Sequence, residues 1–266
     1  MAEYCAWRYD SPFGGSTFSC ALPASLAGGK SCVLHDKAPD KDAAAFNRAL
    51  ATRILLSEAE PEQEWIDLTG VFFPAGADFR AGTFKKSAAF DFAVFSGEAC
   101  FDSGAFSGTA SFRSATFSGT ASFSRAVFSG YADFSSATFA GAAYFGAAAF
   151  AGHAYFDSAL FHGDACFDSA TFSGEAYFIR ATFSGAASCR SAAFSGDAYF
   201  ISAVFSGPAA FDYATFSSAA VFDSAAFSGK ASFTCSAFSG YTDFSSAAFS
   251  SPADFGSARF SDNTYF

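Results

Sequence analysis

The residues best suited to chemistry lie in the first 35 positions. Cys5, Cys20, Cys32 and His35 place three thiols and an imidazole within 31 residues, the last two as the run CVLH. Thiolate sulfur and imidazole nitrogen are the usual ligands of tetrahedral Zn2+, and Cys-x-x-His is a common ligand pair. Fourteen residues separate the first two cysteines and eleven the next two, which is not a strong signature by itself. The segment is, however, too poor in apolar residues to fold alone. A structural Zn2+ held by Cys5, Cys20, Cys32 and His35 is therefore expected, with metal-free buried thiols and a redox role as the alternatives. The other four cysteines fit a different logic: Cys100 and Cys166 take outward positions, Cys189 an apolar slot and Cys235 a corner. Seven thiols, an odd number, argue against a disulfide framework. Elsewhere the chemistry thins out. His153 lies 22 residues before Glu175 and reads as half of a solvated surface pair; His162 is the third histidine. There is no glycine loop for phosphates and no carboxylate pair in a recognisable pocket. Serine is too abundant for a nucleophile to be singled out. No catalytic residue and no cofactor-binding residue is expected, and the chain reads as a non-enzyme.

Three segments position these residues. Residues 1–39 hold the Cys/His cluster. Residues 40–70 begin with DKDAAAFNRALATRILLSEAE, in which Phe46, Leu50 and Ile54 recur every four positions before Pro61; this predicts one amphipathic helix and a lead-in. From residue 71 to 266 the chain repeats F-x-G-x-A-x-F-x-x-A-x, with the first Phe at 73, 84, 95 and every eleventh residue to 260. The second Phe, from 79 to 266, is replaced only at Cys189. Neither a helical period nor unlimited strand alternation fits this beat. Short A-x-F pieces joined by small corners predict a solenoid, with glycine supplying the corner conformation. The outward residues set its coil length. An 11-residue coil would stack Asp91 on Asp102, Asp157 on Asp168 and Asp212 on Asp223, which is unfavourable at about 4.8 Å. A 22-residue coil sets Asp91 near Arg113, alternates Asp168, Arg190 and Asp212, and aligns Tyr155, Tyr177 and Tyr199. The longer coil is expected, with four Phe per coil turned inward.

The small-x-Phe core resembles the pentapeptide-repeat family. That resemblance implies a mainly β fold, a right-handed quadrilateral β-helix, here with a residue added to every second unit. A solenoid filled with Phe has no interior cavity to host a substrate, which leaves binding rather than catalysis. Some relatives imitate duplex DNA and bind type II topoisomerases such as gyrase, protecting them from quinolones. The N-terminal cluster is similar to the Cys/His knuckle preceding some arrays of this family. DNA mimicry is the second reading here, because Arg113, Arg180 and Arg190 interrupt the acidic faces.

The net charge of −10 disfavours direct contact with nucleic acid or an anionic membrane and leaves room for a basic protein partner. No apolar run is long enough to span a membrane, and the start lacks a basic-then-apolar leader, so a cytoplasmic location is expected. The repeat continues to Phe266, which predicts an exposed ring layer and end-to-end association, as a closed homodimer more readily than a filament.

Overall fold

The computed structural model describes residues 8–10, 17–19, 32–38, 42–74 and 76–266. Two short strands, Arg8–Asp10 and Thr17–Ser19, pair antiparallel. Cys5 and Cys20 lie outside the described residues.

A helix, α1, runs over Ala43–Ala59. The Asp42 carboxylate accepts the backbone N–H groups of Ala44 and Ala45, two of the donors that a helix start leaves without partners. At the other end, Lys86 from the repeat array donates to the carbonyls of Ser57 and Glu60 at 2.7 and 2.6 Å. The expected stripe faces inward: Phe46 is buried, while Leu50 and Ile54 pack partly buried against the core. Phe46 meets Phe73 edge-on at 5.6 Å, so α1 covers part of the first ring layer. Leu55 and Leu56 point to solvent, which makes the amphipathic pattern incomplete.

From Trp65 onward the chain winds as a parallel β-solenoid of about nine coils, close to 22 residues each. Its four faces, in chain order, begin with the strands Trp65–Asp67, Phe72–Phe73, Ala77–Asp78 and Thr83–Phe84. The first face collects ten strands and the other three collect nine each, every strand pairing with the strand one coil away. Phe73 thus sits beside Phe95 and Ala88 beside Ala110. On the first and third faces an inward Ala precedes an outward residue. On the second and fourth faces an outward residue precedes an inward Phe.

The rings explain why the register holds. Phe117 stacks on Phe139 at 4.8 Å and 1°, and Phe139 on Phe161 at the same spacing and angle. Within a coil neighbouring rings meet edge-on, as Phe117 does with Phe123 at 5.9 Å and 82°. Offset stacks and edge-on pairs are the two arrangements that the charge distribution of an aromatic ring favours. Phe112, Phe117, Phe123 and Phe128 are all fully sealed from water. Slipping the chain by one residue would turn this whole set outward.

The corners depart from the sequence expectation in one respect. Those with glycine do not use a left-handed backbone; among the described residues the only glycine at positive φ is Gly70. Glycine is needed there because the coils nearly touch: a Cβ on Gly163 would lie 2.6 Å from the carbonyl of Gly141. Ser218 occupies one such slot, and its hydroxyl is hydrogen-bonded to Asp197. The left-handed residue belongs to the other corners, as in Phe167–Ala170, where the Ala170 N–H closes a turn on the Phe167 carbonyl at 3.0 Å. There Ser169 holds φ at 57°.

Candidate functional site

The interior is filled with rings, so the groups available to other molecules are those on the four faces, at the two ends and beside α1.

On the faces, carboxylates at the corners reach one coil forward. Asp168 accepts the Arg190 N–H at 2.9 Å, Asp157 that of Ile179 at 3.0 Å and Asp164 that of Ala186 at 2.9 Å. These aspartates link coils and satisfy amides that the two-residue strands leave outside their ladders. The predicted alternation is present: Arg190 donates from Nε to Asp212 at 3.2 Å. Asp91 and Arg113 meet differently from expectation. Asp91 takes the backbone N–H of Arg113 at 3.1 Å, while the guanidinium turns to Asp133, with Nε 3.5 Å from Oδ2.

The aromatic column is also formed. Tyr155 stacks on Tyr177 at 4.9 Å, and Tyr177 on Tyr199 at 5.2 Å. Burial and a hydrogen bond to Asp197 push the Tyr199 hydroxyl up to about 12. His153 does approach Glu175, but its Nδ1 accepts the Glu175 backbone N–H at 3.1 Å. A nitrogen accepting that bond carries no proton, so the carboxylate 3.7 Å away has no imidazolium to pair with in this arrangement. His162 is exposed on the outside of the array.

Beside α1, Cys32 and His35 are buried together, with Sγ 3.2 Å from Nδ1. The other ring nitrogen, Nε2, lies 3.0 Å from the Thr69 carbonyl. A carbonyl can only accept, so Nε2 carries the proton and Nδ1 presents its lone pair toward the sulfur. This is the tautomer of a metal-ligating imidazole, with its second nitrogen tied to the backbone. Cys32 and His35 are two donors of the kind Zn2+ takes. Among the described residues no group of three or more His, Cys, Asp or Glu is placed to hold a metal; Cys5 and Cys20 fall outside that set.

The remaining thiols sit where the repeat puts them. Cys100 and Cys166 are half-buried and outward, Cys189 fills a ring slot, and Cys235 is exposed at a left-handed corner. Burial pushes the thiols of Cys100, Cys166 and Cys189 up, Cys189 furthest. Thiols held protonated in this way are poor nucleophiles. No helix among the described residues is long and apolar enough to cross a membrane.

Phe249, Phe255 and Phe260 are only partly buried and Phe266 is 72% exposed. One coil earlier, Phe227, Phe233, Phe238 and Phe244 are all sealed. The residue pattern predicts the exposed last layer and the tyrosine column but not the forward-reaching aspartates, which follow the second Phe of a unit, as Asp157 and Asp168 do, or a corner glycine, as Asp164 does.

Comparison with curated proteins and with solved structures returned no match. Residues 123–165 and 156–203 match the family model described as pentapeptide repeats (9 copies). The same 22-residue register runs without a break on both sides of that stretch.

Proposed function

We propose that the protein is a non-catalytic interaction rod that associates with a second copy through its last coil, with a zinc-stabilised segment at its other end. The observation that carries this reading is the open ring layer of Phe249, Phe255, Phe260 and Phe266. Sealing one Phe is worth roughly 1.5–3 kcal/mol, and a two-fold pairing of such ends covers both layers at once. Light scattering during size exclusion tests it. The chain should elute at twice its monomer mass, and Phe266→Glu, which sets a charge in the layer, should return it to monomer. A parent chain that is monomeric at all concentrations ends the reading.

The zinc reading rests on the Cys32–His35 pair and its Thr69 anchor. Metal analysis of the purified protein should find one zinc per chain, lost in Cys32→Ala. DNA mimicry ranks second because Asp91, Asp157 and Asp168 are turned to backbone amides of the next coil rather than lined up toward solvent. Dose-dependent inhibition in a gyrase supercoiling assay would promote it.

A further inference from the structure

The outward columns of the first face hold two short aromatic runs, Tyr131 and His153 in one column and Tyr155, Tyr177 and Tyr199 in the next. Trp65 is followed, coil by coil, by Ser87, Thr109 and Tyr131. In the neighbouring column Asp67 is followed by Ala89, Ser111, Asp133 and Tyr155. Two successive coils therefore carry only small side chains between larger ones, which leaves a trough of about 470 Å³.

Aromatic faces bound it. Tyr131 has His153 stacked against one face at 5.2 Å, and Tyr155 has Tyr177 against one face at 4.9 Å. Tyr131, Tyr155 and Trp65 all line the trough. Tyr131 is 51% and Trp65 38% exposed. In effect the ring stack stops two rungs short of Trp65, and each vacant rung is about as thick as one flat group.

The polar lining selects the charge of that group. Asp67 is engaged by Arg53 at 3.0 Å and Asp133 by Arg113 at 3.5 Å. Asp91 also lines the trough, hydrogen-bonded to the Ser111 hydroxyl and the Arg113 backbone amide. Among the described residues it forms no ion pair. Enclosing a carboxylate is costly, and burial pushes its carboxyl up; the Arg113 guanidinium, which also lines the trough, is turned to Asp133 instead. The chain as a whole carries a net charge of −10.

We propose that this trough binds the guanidinium group of an arginine side chain on a partner protein. Guanidinium is flat, stacks on aromatic faces and matches a carboxylate with two parallel N–H donors, whereas an ammonium group is round and cannot fill a rung. The inference rests on the reading of the array as an interaction surface and not on self-association.

The test is calorimetric titration of the full chain with an acetylated, amidated Gly-Arg-Gly peptide and with its citrulline counterpart, which is flat but uncharged. The arginine peptide should bind saturably, and the citrulline peptide at least about tenfold more weakly. Asp91→Asn and Tyr131→Ala should each weaken arginine binding by about tenfold. Thr109→Tyr, which places a ring in the vacant rung on the outside of an intact core, should abolish it. No binding of the arginine peptide up to about 10 mM, equal binding of citrulline, unchanged binding in Thr109→Tyr, or tighter binding of a neutral oligosaccharide such as cellobiose would each overturn the proposal. Light-scattering mass measured on the same samples reads self-association separately.

Discussion

Among the described residues, seventeen other than glycine hold φ between 51° and 59°, one at each sharp corner of the array. That backbone costs L-residues roughly 1–2 kcal/mol each, and inter-coil hydrogen bonds offset it: the Ser169 N–H donates to the Arg190 carbonyl at 2.8 Å. A branched Cβ makes the strain worse. Ser169→Val should therefore lower stability by about 1–2 kcal/mol, while Ser169→Gly should stay near neutral because relief of strain is set against a floppier unfolded chain. Urea midpoints of the three proteins check this. Asp91 makes a prediction with a definite sign. Burial holds its carboxyl above the ordinary value of 3.8, so the folded chain keeps that proton to higher pH than the unfolded chain. Between 3.8 and the raised value, stability falls as pH rises. Asp91→Asn should remove that share of the fall, seen as a flatter plot of urea midpoint against pH just above 3.8. A plot parallel to the parent's would contradict it.

At the scale of the element, the unit of construction is the ring column, and Cys189 is its one gap. Phe145 stacks on Phe167 at 4.9 Å and Phe211 on Phe233 at 5.0 Å, with the thiol between Phe167 and Phe211. Because every other coil accepts Phe in this slot, Cys189→Phe should stabilise the protein by about 1–2 kcal/mol, read as a higher midpoint with an unchanged denaturant slope. The ring columns and the coil length were legible before any coordinates, since an 11-residue coil would stack like-charged aspartates, whereas a 22-residue coil alternates Asp168, Arg190 and Asp212 and aligns Tyr155, Tyr177 and Tyr199. Helix α1 was legible from Phe46, Leu50 and Ile54. The corner assignment was not. Ser, Ala, Arg, Tyr, Phe and Cys all occupy the left-handed position, so composition carries no signal, while the conspicuous glycines answer to close approach between coils. The trough was hidden for a related reason. It is made by the absence of large side chains at Ser87, Ala89, Thr109 and Ser111, which become neighbours only once the register is known.

For the whole molecule, function follows from a filled interior. A column with no cavity among its rings offers only faces and ends, and these differ in chemistry: an acidic, aromatic first face, an open ring layer at one end, and a Cys/His pair beside the helix at the other. Stability should be spread along the column, because each coil touches only its neighbours. Phe161→Ala in the middle should cost about 3–5 kcal/mol. Phe260→Ala in the last coil should cost clearly less in the monomeric Phe266→Glu background, where no partner covers the layer. The central claim is a column of rings that winds once in 22 residues, and a single substitution tests it most directly. Ser188 lies beside Cys166 in the register of the third face, at a spacing within disulfide reach. Under mild oxidation Ser188→Cys should form a disulfide with Cys166, identified by peptide mass mapping, whereas Tyr177→Cys, on the first face, should form none with it. A disulfide from Cys166 to the thiol introduced by Tyr177→Cys, with none formed in the Ser188→Cys variant, would mean that the chain winds once in eleven residues and would contradict the account.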